Sequence, residues 1–169
     1  MKITRIAVIL LLGILLASGF ACCPEGATPE RGQAVAFYQG AYPISKEMKQ
    51  VADDWNVFLQ EFSQRKVTNQ EILQKSQEYA TRLEALPQDL SMLYAPPPLR
   101  QLKDDMALAL NLGIEAFGLY KVGAETYNIS YFQEADEKIL ELNRVMMRIA
   151  DKWDDGIAYY NIKPSEISP

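Results

Sequence analysis

Apolar residues return every three or four positions along most of this chain, the period of helices that each bury one face. Ile44, Met48, Val51, Trp55, Phe58 and Phe62 fall on one stripe, which predicts a helix over 45–65. Thr68 and Glu71 have the spacing of a capping box, and Val67 and Ile72 that of a hydrophobic staple, so a second helix should run over 69–86. Pro87 should stop it, having no N–H to continue the ladder. The prolines of "APPPLRQL" open a third helix over 98–127, in which Leu102, Met106, Leu110, Phe117 and Tyr120 are joined by Ala109, Gly113 and Ala116. That is too many for one stripe, so this helix should be the most buried. Ser130 and Gln133 form another capping-box pair and predict a fourth helix over 130–160.

No run alternates with a period of two, so the expected class is all-α. Connections of two or three residues at 66–68 and 128–129 make consecutive helices antiparallel neighbours. The expected architecture is an up-down-up-down four-helix bundle over 44–162, followed by a tail at 163–169. Residues 22–43 read as a tether. Within it Thr28-Pro29-Glu30 could start a short extra helix over 29–39, with Gly40 ending it. Helices three and four are longer than one and two, so they should overhang at the end away from the tight turns. Leu99, Leu102, Trp153, Ile157 and Tyr160 would then need a cover. The tether and "DLSMLYA" at 89–95 are the available covers, and they predict an aromatic cluster of Phe37, Tyr42, Tyr94, Trp153 and Tyr160. Such a cluster is either a satellite core or a ligand or partner surface.

The first residues change the picture most. "MKITRIAVILLLGILLASGFACC" has cations at Lys2 and Arg5, an apolar run from Ile6 to Leu16 and small residues at 17–19, which is the layout of a secretory signal over 1–21. The run is shorter than the roughly 20 residues of a spanning helix. Cys22 follows Ala21, and in this the stretch resembles a bacterial lipoprotein signal, although Gly19 stands where that family prefers Leu. The resemblance implies a lipid carried on Cys22, less well on Cys23, with membrane lipid as the partner. Ordinary cleavage after Ala21, giving a secreted protein, is the alternative. A disulfide between adjacent cysteines would be strained and close no useful loop. The helical body is also similar in layout to small extracytoplasmic bacterial helical-bundle proteins, a likeness of pattern that brings no site with it.

Composition then narrows the chemistry. The 169 residues contain no histidine, and both cysteines lie beside the leader. Ser-His-Asp and Cys-His catalysis, ordinary zinc sites, axial-histidine haem and Glu-x-x-His di-iron centres are therefore excluded. A net charge of −5 opposes nucleic-acid binding and gives no attraction to anionic head groups. The acid pairs Asp53-Asp54 and Asp104-Asp105, and "DKWDDG" at 151–156, lack the spacing of a calcium loop and read as solvated helix faces. Gly113, Gly118 and Gly123 would serve close packing or, in the rival reading, line a small-ligand pocket on helix three. The expectation is a non-enzymatic, membrane-tethered interaction or scaffold module of the cell envelope, without metal, cofactor or nucleic acid, whose partner would be an unidentified envelope protein. The alternative is a small-ligand binding protein using helix three or the aromatic end.

Overall fold

The computed structural model describes residues 28–64 and 67–167. The signal over 1–21, Cys22 and Cys23, Arg65 and the side chain of Phe62 lie outside what it describes. Among the described residues the fold is all-α, with no strand. The elements are α1 (Pro29–Gln64), α2 (Asn69–Glu84), α3 (Leu86–Met92), a 3₁₀ turn (Pro97–Leu99), α4 (Arg100–Thr126), α5 (Ile129–Tyr160) and α6 (Pro164–Ile167).

α1 corrects the expectation of a short helix over 29–39 followed by another over 45–65. It is one helix of 36 residues that runs through both Gly40 and Pro43. The start is as expected, with Pro29 in the first turn and the Arg31 amide donating to Thr28 Oγ1 at 3.3 Å. Continuing through Pro43 sacrifices one ladder bond and crowds the preceding turn, at about 3 kcal/mol. Against this, Ala34, Phe37, Tyr38 and Ala41 extend the buried stripe of Ile44, Met48, Val51 and Trp55 without a break. Burying Phe37 and Tyr38 contributes roughly 1.5–3 kcal/mol each, which is enough to win. Gly40 does not end the helix; a side chain there would collide with Leu93.

The second column is shorter and broken. The capping box of α2 is present, with the Glu71 amide donating to Thr68 Oγ1 and the Thr68 amide to the Glu71 carboxylate. α2 ends at Glu84 rather than 86, and Pro87 sits in the first turn of a new helix, α3, that the spacing did not predict. Proline is excluded from a helix interior but tolerated in a first turn, so the same residue ends one helix and opens the next. Lys103 Nζ closes the end of α3 by donating to the Ser91 and Leu93 carbonyls at 3.0 and 2.5 Å.

α4 is the most buried helix, as expected, and lies closest to α5 and α2. It ends on Tyr127, which takes the left-handed conformation at φ 57°, and α5 begins at once. The cap of α5 is Asn128, whose side chain accepts from the Ser130 amide at 3.0 Å, instead of the expected Ser130. A connection this tight leaves Asn128 as the only residue in extended geometry ahead of the helix, and its short carbonyl reaches the orphan amide.

Contacts fix the directions. Gly123 meets Phe132, Glu115 bonds Lys138, and Asp105 bonds Arg148 and Lys152, so α4 and α5 run in opposite senses. Leu83 against Gly113 and Tyr79 against Phe117 make α2 opposite to α4. Arg82 against Glu47 and Tyr79 against Trp55 do the same for α1 and α2. Tyr38 against Trp153 and Glu30 against Tyr160 set α1 opposite to α5.

Candidate functional site

The front end of the molecule, where the chain enters α1, holds most of the residues expected to form an aromatic cluster. Leu99, Leu102 and Tyr160 are buried there, so the overhang is covered, and the cover is the front of α1 itself. The cluster forms in part. Phe37 stacks edge-on against Tyr38 at 5.7 Å between ring centres, and Tyr38 edge-on against Trp153 at 4.8 Å. Tyr42 packs half-buried against the same core. Tyr160 pairs instead with Tyr159, and Tyr94 is 59% exposed, which takes it out of the cluster.

The residue at the centre, Tyr38, was not expected. Its hydroxyl donates to the Trp153 carbonyl at 3.1 Å, and burial, followed by Tyr160, Asp154 and Asp155, pushes its pKa well above the ordinary tyrosine value. Gly156 makes this possible. A side chain there would collide with the Tyr38 hydroxyl and come within 2.7 Å of Leu99. "DKWDDG" is therefore a packing element. Gly156 admits Tyr38, Trp153 supplies the acceptor, and the acids Asp151, Asp154 and Asp155 face water as expected.

A polar clasp closes the same end. Arg31 donates from Nε to the Tyr160 carbonyl at 3.1 Å and from Nη2 to the Asn161 carbonyl at 3.0 Å, satisfying the C-terminus of α5. The same guanidinium holds Glu166 at 2.9 Å, and Gln39 donates to the Glu166 carbonyl at 2.8 Å. The Arg31 bond, then the Lys163 amide, hold the Glu166 carboxyl below its usual range. Tyr160 donates to Glu30 at 3.1 Å, and burial followed by that carboxylate pushes its pKa up to about 12. The expected tail thus forms a short helix against α1, burying Ile167.

The body beyond the front end is filled. Gly113 faces Leu83 and Gly123 faces Phe132, so these two glycines serve two different neighbours, while a methyl at Gly118 would meet no other element within 4 Å. Trp55 sits among Phe58, Tyr79, Phe117 and Tyr120, with ring centres 4.8 to 5.9 Å away. Its buried indole N–H has no hydrogen-bond partner; burial first, then Asp136, drive the Tyr120 hydroxyl far above the ordinary tyrosine value. A crevice of about 30 Å³ between α1 and α5, lined by Val51, Trp55, Phe117 and Leu142 among others, has room for little more than a water.

Asp105 overturns the reading of its acid pair. Asp104 is exposed, but Asp105 is 4% exposed and takes Lys152 Nζ at 2.6 Å and Arg148 Nη2 at 3.1 Å. Burial raises its pKa, and the two cations more than reverse this, leaving the carboxyl below its ordinary value. It ties α4 to α5 with every charge paired, as a buried carboxylate must be. Among the described residues no three of His, Cys, Asp and Glu are grouped to hold a metal, and no helix is long and apolar enough to cross a membrane. No protein family, curated protein or solved structure matches this chain.

Proposed function

We propose that the chain is a non-enzymatic interaction or scaffold module of the cell envelope, exported by its leader and held at the membrane by an acylated Cys22. In this reading the four long helices act as an up-down-up-down bundle, which the opposite senses of α1/α2, α2/α4, α4/α5 and α5/α1 support. The filled interior supports a module that presents a surface rather than one that encloses a substrate.

The observation that carries the reading is where the clasp lies. Arg31 and Glu30, in the first turn of α1, are bonded to Tyr160, Asn161 and Glu166 at the far end of the chain. The stretch from Cys22 to Pro29 can span no more than about 25 Å even when fully extended. An anchor at Cys22 or Cys23 would therefore hold a rigid body close to the bilayer rather than a domain on a long leash.

Fractionation of cells expressing the full chain, followed by mass spectrometry of the mature N-terminus, tests this. The expected result is an acylated Cys22 in the membrane fraction, with Cys22→Ser moving the protein to the soluble fraction. An unmodified N-terminus in the wild-type protein overturns the tether. Cross-linking in intact cells should then capture an envelope protein on the body.

A further inference from the structure

We propose that the front end is a lipid-contacting face, with Tyr94 and Tyr159 seated in the interfacial layer of the bilayer. The proposal rests on the tether reading and deepens it, by naming which surface of the body meets the membrane and what chemistry it meets.

Position comes first. Tyr159 stacks on Tyr160 at 4.8 Å between ring centres, and Tyr160 is bonded through its hydroxyl to Glu30 and through its carbonyl to Arg31. Tyr159 therefore stands at the end of the body where the chain enters α1. Tyr94 lies between Leu93, which packs at Gly40 of α1, and Leu99, which packs at Gly156 of α5. With the leader removed and Cys22 acylated, the stretch from Cys22 to Pro29 spans no more than about 25 Å, so this is the end held near the head groups.

Exposure and chemistry come second. Tyr159 is 70% exposed, Tyr94 59% and Met92 69%, although each adjoins a core that buries Leu90, Ala95 and Tyr160. Tyrosine presents an apolar ring and a polar tip, the combination enriched at the membrane–water boundary. A second copy or a protein partner could also use such rings, but neither is brought to this end by the chain itself.

Charge settles the kind of lipid. Asp154 and Asp155 are exposed just before Tyr159 and Glu30 accepts from Tyr160, beside the cations Arg31, Arg100 and Lys163; without Lys2 and Arg5 of the leader, 15 Lys and Arg face 22 Asp and Glu, a net of −7. The tethered body is net acidic, so the contact is carried by the rings rather than by cations and is satisfied by a zwitterionic surface.

The test uses the full chain, purified from membranes and reconstituted into phosphatidylcholine vesicles brominated near the head-group end of the acyl chains. Tyr94→Trp and Tyr159→Trp place a fluorophore at the face, Tyr127→Trp places one at the opposite end, and the wild-type signal is subtracted. Side chains settled at interfacial depth should lose about half of the added emission to bromine, with no such loss at 127 and no dependence on added anionic lipid. Protein that floats with the vesicles yet shows equal emission at all three positions overturns the face and leaves the tether standing. Protein that does not float overturns both. Quenching that appears only with anionic lipid, or loss of Tyr94 and Tyr159 accessibility through self-association, also overturns it.

Discussion

The two ends of this molecule are built by different means. At the far end, local signals close the structure. Thr68 and Glu71 cap α2 across three residues, Asn128 caps α5 across two, and Trp55, Phe58, Tyr79, Phe117 and Tyr120 fill the space between with rings. At the front end almost every closing contact joins residues more than a hundred positions apart: Tyr38 with Trp153, Arg31 with Tyr160 and Glu166, Glu30 with Tyr160. The far end spends its stability on apolar burial and tolerates an orphan indole N–H; the front end satisfies its polar groups and leaves two tyrosines exposed. A free, tightly turned end can rely on local chemistry. An end that must receive the chain and return it needs contacts that exist only in the finished fold.

That contrast can be broken at either side. Trp55→Ala removes the far-end keystone and should cost about 3–5 kcal/mol in chemical denaturation, the range for truncating a fully packed aromatic. A loss below about 1 kcal/mol would mean that the ring cluster is loosely packed. Gly156→Ala strikes the front end: alanine is the better helix former, yet its methyl displaces the Tyr38 hydroxyl, and the net loss should be about 2–3 kcal/mol. Tyr38→Phe removes the colliding oxygen, so the double variant should be less destabilised than the sum of the two single changes. Simple additivity would refute the contact.

Acid sharpens the comparison further. Asp105 is buried against Lys152 and Arg148, Glu166 is bonded to Arg31, and both carboxyls have folded pKa values below their unfolded ones. Each therefore contributes stability that is complete above the unfolded value, near 4, and is lost as pH falls through the folded value. Melts between about pH 5 and pH 2 should show stability falling with pH, and Asp105→Asn should flatten the slope while costing about 1–2 kcal/mol at neutral pH. An unchanged slope would assign the acid sensitivity elsewhere. The smallest change expected is Thr68→Ala, at about 1 kcal/mol, from loss of the α2 cap.

Legibility in the sequence follows the same division. The all-α class, the spans of α4 and α5 to within two residues and the capping box of α2 were readable, because periodicity and caps act over a few residues. The front of α1 was not. Gly40 and Pro43 are local stop signals, and only the burial of Phe37 and Tyr38 on a distant helix outweighs them. A signal existed in the uninterrupted spacing of Ala34, Tyr38, Ala41 and Ile44. Asp105 could likewise have been placed inside, since it falls between Leu102 and Ala109 on the buried face of α4, opposite cations one turn apart on α5. The aromatic cluster was located at the right end with the wrong membership: Tyr38 belongs to it and Tyr94 does not. Which ring turns inward depends on Gly156, whose role is visible only once α1 lies across it.

Hydrogen exchange on the full chain measures most directly whether the front of α1 belongs to the body. Amides of residues 32–44 should be protected together with those of 45–60, opening only with global unfolding, and Arg31→Ala should loosen the first group while sparing the second. Exchange of 32–44 at the rate of an unstructured peptide in the wild-type protein, beside a protected 45–60, would contradict the account.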